Sequence, residues 1–338
     1  MSIWWFAFIL SSLAVVVSGF YLTKNVDLLA EAKGLSKGFL GFILLASITS
    51  LPEMITTAYS SAGLGVNDQA IGNVFGSNLF NVLIFTIIGL LFTLERIHGS
   101  GETFVLSKGN IIAGIFSIML TAFFLEWIPF ETSLGQSLSI FNIDLISYFF
   151  LIAYLVAAYI IWTGSKEYEK GSDSRKSVVG SFSEAKVYLI IAVLSIIIIV
   201  ASIFLSKSVK VIALTNHLNF SFAGAVLLAV VTSLPELVVS ISSIHFLSPE
   251  MAHGNILGSN LFNLVNLSIA DIFFRKGVIY WQMEKGGFYL ASGSIVLTSI
   301  MILSILSPPR KTFLGRLSLG TLLILILYFV TIYASWHG

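Results

Sequence analysis

The chain has 338 residues, of which 57% are apolar and only 10% are charged, and its mean hydropathy is +0.96. That composition excludes an ordinary water-soluble globular protein and indicates an integral membrane protein. The formal net charge of +1 does not point to a nucleic-acid partner, and the absence of cysteine excludes disulfides and thiolate metal sites.

Ten apolar segments of about 20 residues, each long enough to cross roughly 30 Å of hydrocarbon as a helix, follow one another along the chain. We therefore predict an all-α membrane protein with ten transmembrane helices. The predicted spans are residues 3–22, 38–62, 70–94, 109–130, 142–163, 187–206, 219–245, 252–273, 287–307 and 317–336. The first span lacks a basic n-region and a small-residue cleavage site, so we expect a retained helix rather than a signal peptide.

The most polar stretch, residues 164–186, separates the first five spans from the last five. Its charged sequence with Ser and Gly is typical of a flexible linker. We predict a first five-helix repeat over residues 1–163, a cytoplasmic linker over 164–186 and a second, inverted five-helix repeat over 187–338.

Lysine and arginine are distributed unevenly between the two sides of the predicted membrane. The loops after the first, third, fifth, seventh and ninth spans hold 13 of the 18 basic residues. By the positive-inside rule that side is cytoplasmic. We therefore expect a multi-pass protein of the cell membrane with both termini outside.

Two motifs occur once in each half of the chain. TSLPE stands at 49–53 and again at 232–236; GNVFGSNLFN at 72–81 matches GNILGSNLFN at 254–263, with eight of ten positions identical. Because five spans is an odd number, the second copy enters the bilayer with the opposite orientation. Inverted repeats bring equivalent segments together near the midplane, so we expect Glu53 and Glu236 to face one another there.

The first motif places a carboxylate inside an apolar span. An ionised carboxylate there costs about 2.5–3.5 kcal/mol on insertion scales, and the spans that carry the motifs contain no Lys or Arg. Protonation or a bound cation is therefore needed. Pro52 and Pro235 also free backbone carbonyls, and Thr49 and Ser50 lie beside Glu53. Carboxylate, hydroxyl and carbonyl oxygens are hard ligands that suit Ca²⁺ or Na⁺.

The second motif forms a polar stripe with a repeat of four residues. The stripe consists of Asn73, Ser77 and Asn81 in the first copy and of Asn255, Ser259 and Asn263 in the second. Gly72 with Gly76 allows close helix approach, as does Gly254 with Gly258. Singly, each feature has a structural interpretation: an interhelical hydrogen bond, a kink or a packing motif. Their joint recurrence in register favours an ion site.

At these residues the sequence resembles the calcium/cation antiporter superfamily, in particular the prokaryotic-type, ten-helix members of its sodium/calcium exchanger branch. The resemblance implies that Ca²⁺ binds the carboxylates of Glu53 and Glu236 and the carbonyls of Thr49 and Thr232. It implies Na⁺ sites formed by Ser50, Ser233, Ser77, Ser259 and the carbonyls of Ala46 and Ala229, with spans 1 and 6 sliding across the others. The branch often carries an acid at one of the positions of Asn81 and Asn263. Here both are amides, so the pocket has two formal negative charges rather than three.

We therefore expect a secondary active antiporter that exchanges Ca²⁺ for Na⁺ by alternating access at a midplane site. The alternative is a Ca²⁺/H⁺ antiporter that uses the same glutamates. An intramembrane hydrolase lacks an activated nucleophile here, and a channel suits one deep paired site less well, so we expect no enzyme activity. The expected partners are Ca²⁺, monovalent cations and the lipid bilayer, with no cofactor, no nucleic acid and no obligate protein partner.

Overall fold

The computed structural model describes residues 2–32, 46–91, 108–169, 184–245, 249–281, 283–306 and 319–338. Apart from one short β-hairpin, the elements in these ranges are helices, which confirms the predicted all-α membrane fold. In chain order they are α1 (Ser2–Ala32), α2 (Ala46–Thr49), α3 (Leu51–Ala58), the π-helix π1 (Tyr59–Gly63), α4 (Asn67–Leu91), α5 (Lys108–Leu134), β1 (Ser139–Ile140), β2 (Ile143–Asp144), α6 (Leu145–Glu169), α7 (Glu184–Thr215), α8 (Phe220–Ala223), π2 (Gly224–Leu228), α9 (Ala229–Thr232), α10 (Leu234–His245), α11 (Pro249–Phe273), α12 (Lys285–Leu306) and α13 (Leu319–His337).

Two of the helical segments are interrupted, and each interruption lies in a TSLPE motif. We call α2, α3 and π1 the first broken helix, and α8, π2, α9 and α10 the second. The helical run stops at Ser50 (φ −82°, ψ 10°) and at Ser233 (φ −89°, ψ 6°). Proline follows two residues later in both copies; it has no N–H to donate and clashes with the preceding turn. In the second broken helix the two parts meet at a bend of 42°.

The described residues contain eight continuous helices long and apolar enough to cross a membrane, and the second broken helix makes a ninth candidate span. The first broken helix corresponds to the predicted span 38–62, whose first residues, 38–45, lie outside the described ranges. Each of the ten predicted spans therefore overlaps a helical segment of the structure.

Several predicted helix ends were wrong. Helix α1 continues to Ala32 and α7 to Thr215, each about ten residues past the predicted end. In α7 the extension carries two lysines whose ammonium groups find partners: Lys207 lies over the Tyr59 ring, and Lys210 donates to the Leu64 carbonyl at 2.9 Å. Helix α6 reaches Glu169 and α7 begins at Glu184, so helical residues extend into both ends of the predicted linker 164–186; residues 170–183 lie outside the described ranges.

Helices α4 and α11, which carry the second motif, form the centre of the packing. In the most apolar 18-residue stretch of each helix, 89% and 78% of the residues are buried, respectively. Helix α4 packs against the second broken helix and α11 against the first, and α4 and α11 also contact each other. The approach at α4 needs glycine: an added Cβ at Gly72 would lie 2.1 Å from the Ser221 carbonyl oxygen, and one at Gly76 would lie 2.4 Å from the Ala225 Cα.

Helices α1 and α7 pack mainly along each other, and few of their residues are fully buried. Their exposed side chains are largely apolar, as expected for contact with lipid. On the other side of α4 and α11, helices α5, α6, α12 and α13 complete the bundle. There Phe124 contacts the rings of Phe75, Phe150 and Tyr280.

Candidate ion-binding site

Glu53 and Glu236 are both buried at the centre of the structure. Each lies in the first turn of the helix that follows a break, α3 for Glu53 and α10 for Glu236, and they are 1% and 0% exposed. Each carboxylate accepts a hydrogen bond from the serine of the other TSLPE copy. The TSLPE copies therefore meet, as the inverted repeat predicts.

Serine hydroxyls cross between the repeats to bind these carboxylates. Ser50 Oγ donates to Glu236 Oε1 at 3.0 Å, and Ser233 Oγ donates to Glu53 Oε1 at 2.8 Å. Ser259 Oγ also approaches Glu236 Oε1, at 3.3 Å. Both breaks thus place a hydroxyl against the acid of the other repeat, in the reciprocal pattern that a two-fold relation between the halves requires.

The second oxygen of each carboxylate remains available. Within the described chain, Glu53 Oε2 and Glu236 Oε2 are buried and have no hydrogen-bond partner, and the same holds for Ser77 Oγ. A buried carboxylate oxygen without a donor is costly. A cation or a proton would remove that cost, whereas the serine hydroxyls satisfy only the Oε1 atoms.

Two carbonyls of the predicted ligand set already accept two hydrogen bonds each. The Ala46 oxygen accepts the N–H four residues further on at 3.1 Å and the Thr49 hydroxyl at 3.2 Å. The Ala229 oxygen accepts the equivalent pair, the backbone N–H at 3.0 Å and the Thr232 hydroxyl at 3.5 Å. These carbonyls hold the turns before the breaks, and their use as ligands stays a prediction.

The first asparagines of the polar stripes hold the broken helices. Asn73 Nδ2 donates to the Glu53 carbonyl at 3.4 Å and to the Thr56 hydroxyl at 2.9 Å. Asn255 Nδ2 donates to the Glu236 carbonyl at 3.2 Å, and its Oδ1 accepts from Thr49 at 3.3 Å. Both amides therefore fix the backbone of the helix that carries each glutamate.

Four further asparagines form what we call the asparagine bracket: Asn78, Asn81, Asn260 and Asn263. Asn81 Nδ2 donates to Asn260 Oδ1, and Asn263 Nδ2 donates to Asn78 Oδ1, each at 2.9 Å. All four are at most 1% exposed. Asn78 and Asn260 were missed from the sequence, although both lie in the repeated GSNLFN and could have been found from that identity.

A second group of acids, also missed, lies near the hairpin. The Asp144 N–H and the Ser147 hydroxyl donate to Asp271 Oδ2, both at 2.8 Å. Trp127 Nε1 donates to Asp144 Oδ1 at 2.9 Å, and Glu131 is the neighbouring carboxyl group. Burial raises the pKa of Asp144 to about 7, with a further increase from the Glu131 charge, against the lowering effect of the Ile146 N–H. This cluster joins α5, β2 and α11.

Across the described ranges, no group of three or more His, Cys, Asp or Glu side chains is placed to hold a metal ion. The site instead combines two carboxylates with hydroxyl and amide oxygens. That donor set suits a hard cation.

The chain matches known proteins over most of its length. The family model described as sodium/calcium exchanger protein matches residues 3–164 and 186–336. The sodium/calcium exchanger MaX1 of Methanosarcina acetivorans is 28% identical over 329 residues, covering 89% of this chain and 91% of that protein. The inner membrane protein YrbG of Escherichia coli is 26% identical over 264 residues, covering 76% and 75%.

Solved structures share the fold. The H⁺/Ca²⁺ exchanger CAX superposes with a TM-score of 0.67 at 14% identity, covering 98% of this chain and 88% of that one. The sodium-calcium exchanger NCX_Mj gives 0.61 at 18% identity, covering 98% of each chain. The family match over most of the chain confirms the resemblance that the two motifs indicated: the chain belongs to the sodium/calcium exchanger protein family.

Proposed function

We propose that this protein is a secondary antiporter that exports Ca²⁺ in exchange for an inward monovalent cation, with Na⁺ as the favoured counter-ion. The observation that carries the proposal is the pair of buried glutamates, each with one oxygen held by a serine of the other repeat and one without a partner in the described chain. Membership of the sodium/calcium exchanger protein family and the name of the relative MaX1 support the same function.

In the proposed cycle, Ca²⁺ binds between Glu53 and Glu236 and neutralises both carboxylates. The cation replaces the missing partners of their Oε2 atoms, while Ser50 and Ser233 keep the Oε1 atoms in place. When Ca²⁺ leaves, the two negative charges must be neutralised again, because a buried uncompensated charge is costly. Two monovalent cations meet that requirement, which couples Ca²⁺ release to counter-ion entry.

In the proposed cycle, α1 and α7 move relative to the other helices and open the ion site to one side of the membrane at a time. These two helices pack mainly along each other, so they can move as a pair. Gly19 of α1 packs against Pro235 of the second broken helix, which would give the movement a direct contact with the site.

The second candidate is Ca²⁺/H⁺ exchange at the same glutamates. The charge count agrees with it equally, because the site has amides at Asn81 and Asn263 in place of a third acid and two protons neutralise the pair of glutamates as well as two Na⁺ ions do.

Calcium flux into proteoliposomes, with Na⁺ and pH gradients varied separately, tests both candidates. We expect an outward-directed Na⁺ gradient to drive Ca²⁺ uptake at constant pH. Uptake driven by a pH gradient alone would replace the first candidate with the second, and uptake that needs neither gradient would contradict antiport.

A further inference from the structure

The asparagine bracket is symmetric in its crossing bonds but asymmetric in its amide oxygens. Asn263 Oδ1 accepts a hydrogen bond from Asn266 Nδ2 at 3.1 Å. Asn81 Oδ1, its counterpart in the first repeat, is buried without a hydrogen-bond partner in the described part of the chain. Asn263 Oδ1 therefore has a hydrogen-bond donor, whereas Asn81 Oδ1 has none among the described residues.

The asymmetry arises from one difference between the repeats. Asn266 follows Asn263 by three residues, and the residue at the same distance after Asn81 is Ile84. Residues three apart lie on the same helix face, and Asn266 and Ile84 are both 0% exposed. The first repeat thus has an apolar side chain where the second has an amide.

Asn81 Oδ1 belongs to the polar stripe of α4, which extends from the level of the carboxylates. Ser77 and Asn81 are four residues apart and share a face of α4. Ser77 Oγ, like Asn81 Oδ1, lacks a partner among the described residues. Ser259, the counterpart of Ser77, contacts Glu236, which puts this level of the stripe beside the acids.

We propose that Asn266 is a positioning residue: by holding Asn263 Oδ1, it leaves Asn81 Oδ1 as the only oxygen of this pair of equivalent amides that can bind a monovalent cation beside the glutamates. This inference rests on the proposed function. A buried acceptor without a donor is stabilised by a ligand, whereas an acceptor already hydrogen-bonded gains less. The cation site is therefore asymmetric, and α4 supplies its amide ligand.

Reciprocal variants test this assignment. In Asn266→Ile, Asn263 Oδ1 loses its donor and becomes a second amide ligand. In Ile84→Asn, a new amide covers Asn81 Oδ1. We expect the first to tighten Na⁺ binding by roughly threefold to tenfold, the equivalent of one hydrogen bond, and the second to weaken it by a similar factor. The double variant exchanges the two arrangements and should return Na⁺ affinity to within about twofold of wild type.

Binding is measured on the purified full chain in detergent, by calorimetry and by ion-dependent thermal stabilisation, with Na⁺ and Ca²⁺ titrated separately. Ca²⁺ affinity should stay nearly constant, since the carboxylates carry it; a merely structural role would change both ions together. Asn266→Ser, whose side chain is too short to reach Asn263, gives a second variant that should behave like Asn266→Ile.

The outcomes separate this inference from the function on which it rests. Na⁺ shifts of the same sign in both single variants, or no shift, overturn the role of Asn266 and leave the antiporter proposal standing. Wild-type protein that binds Ca²⁺ but no Na⁺ overturns the monovalent site alone. Wild-type protein that binds neither ion contradicts the proposed function itself.

Discussion

Glu53 and Glu236 are the two formal charges of the candidate site, and hydroxyls rather than basic side chains satisfy one oxygen of each. At the residue scale, bound cations must therefore neutralise two negative charges. Two carboxylates are neutral with one Ca²⁺ or with two monovalent cations, and excess charge in a buried site is costly. The amides at Asn81 and Asn263 add oxygen ligands without adding charge.

Exchange by the wild-type protein should therefore be close to electroneutral. Asn263→Asp places a third negative charge at the bracket and should favour an additional monovalent cation, so Ca²⁺ flux should become sensitive to voltage. The measurement is Ca²⁺ efflux from proteoliposomes under an imposed membrane potential. Wild-type flux that already moves one net charge per cycle would show that the charge count is wrong.

The repeat made most of these residues predictable, because a polar side chain inside an apolar span is conspicuous when it recurs in register. Glu53, Glu236 and their serines were found in this way. Asn266 was not, because its counterpart Ile84 is apolar and a search for repeated residues passes over it. The hydrogen bonds at the Ala46 carbonyl also depend on local backbone geometry, which the sequence does not specify.

At the element scale, the prolines predicted that backbone carbonyls are freed in the two TSLPE copies, but they did not predict where the helices break. The helices stop at Ser50 and Ser233, two residues before each proline, and this places the serine hydroxyls toward the opposite acids. The π-helix π2 just before the second break had no signal in the sequence. It packs against α4, where Gly224 lies against Gln69.

Close packing of α4 against the second broken helix predicts a severe effect for a single methyl group. Gly76→Ala should destabilise the protein by about 1–3 kcal/mol, as expected for overpacking a tight contact, because its Cβ would overlap Ala225. Gly89→Ala is the matched control on the same helix, since no atom of the described structure lies within 4 Å of the added Cβ. It should be neutral or stabilise by up to about 1 kcal/mol. Thermal unfolding in detergent measures both, and equal melting temperatures would contradict the packing argument.

The acids around the hairpin predict a pH dependence of stability. The pKa of Asp144 is raised to about 7 in the folded protein, whereas an unfolded chain would release this proton near pH 4. Between these values the folded state holds more protons, so this residue's contribution to stability falls as pH rises from about 4 to about 7. The other titratable side chains that face this cluster are Glu131, Asp271 and Tyr280.

Asp144→Asn keeps an acceptor for Trp127 and removes the titrating group. Its melting temperature should therefore fall less than that of wild type between pH 5 and pH 7. Glu126→Gln, which changes an exposed acid on α5, is the control and should follow wild type. If the melting temperature of Asp144→Asn falls as steeply as that of wild type between pH 5 and pH 7, groups other than Asp144 cause the pH dependence. The cluster itself was not predictable, because its acids are far apart in sequence and lie outside the repeated motifs.

At the scale of the whole molecule, the order of helical segments and the meeting of the two motifs follow from the sequence, since long apolar runs and an odd number of spans per repeat determine both. The lateral arrangement does not. The pairing of α1 with α7 and the central position of α4 and α11 depend on side-chain packing between segments with no shared motif.

The predicted orientation places both termini and the β-hairpin outside and the linker inside. Single cysteines can test this, because the chain has none of its own. Ser139→Cys, on the exposed hairpin, and Ser2→Cys should react with an impermeant thiol reagent on intact cells, whereas Ser172→Cys should react only after permeabilisation. The opposite labelling pattern would invert the topology.

The central claim is that Ca²⁺ exchange passes through the paired glutamates, and the direct measurement is ⁴⁵Ca flux in proteoliposomes for wild type, Glu53→Gln and Glu236→Gln. Each substitution removes one coordinating charge and also one buried charge that needs neutralising, so the variants should fold at least as stably as wild type. We predict that wild type exchanges Ca²⁺ against an opposing monovalent-cation gradient and that both variants, with melting temperatures at or above the wild-type value, show no exchange. Full exchange in either variant would contradict the site.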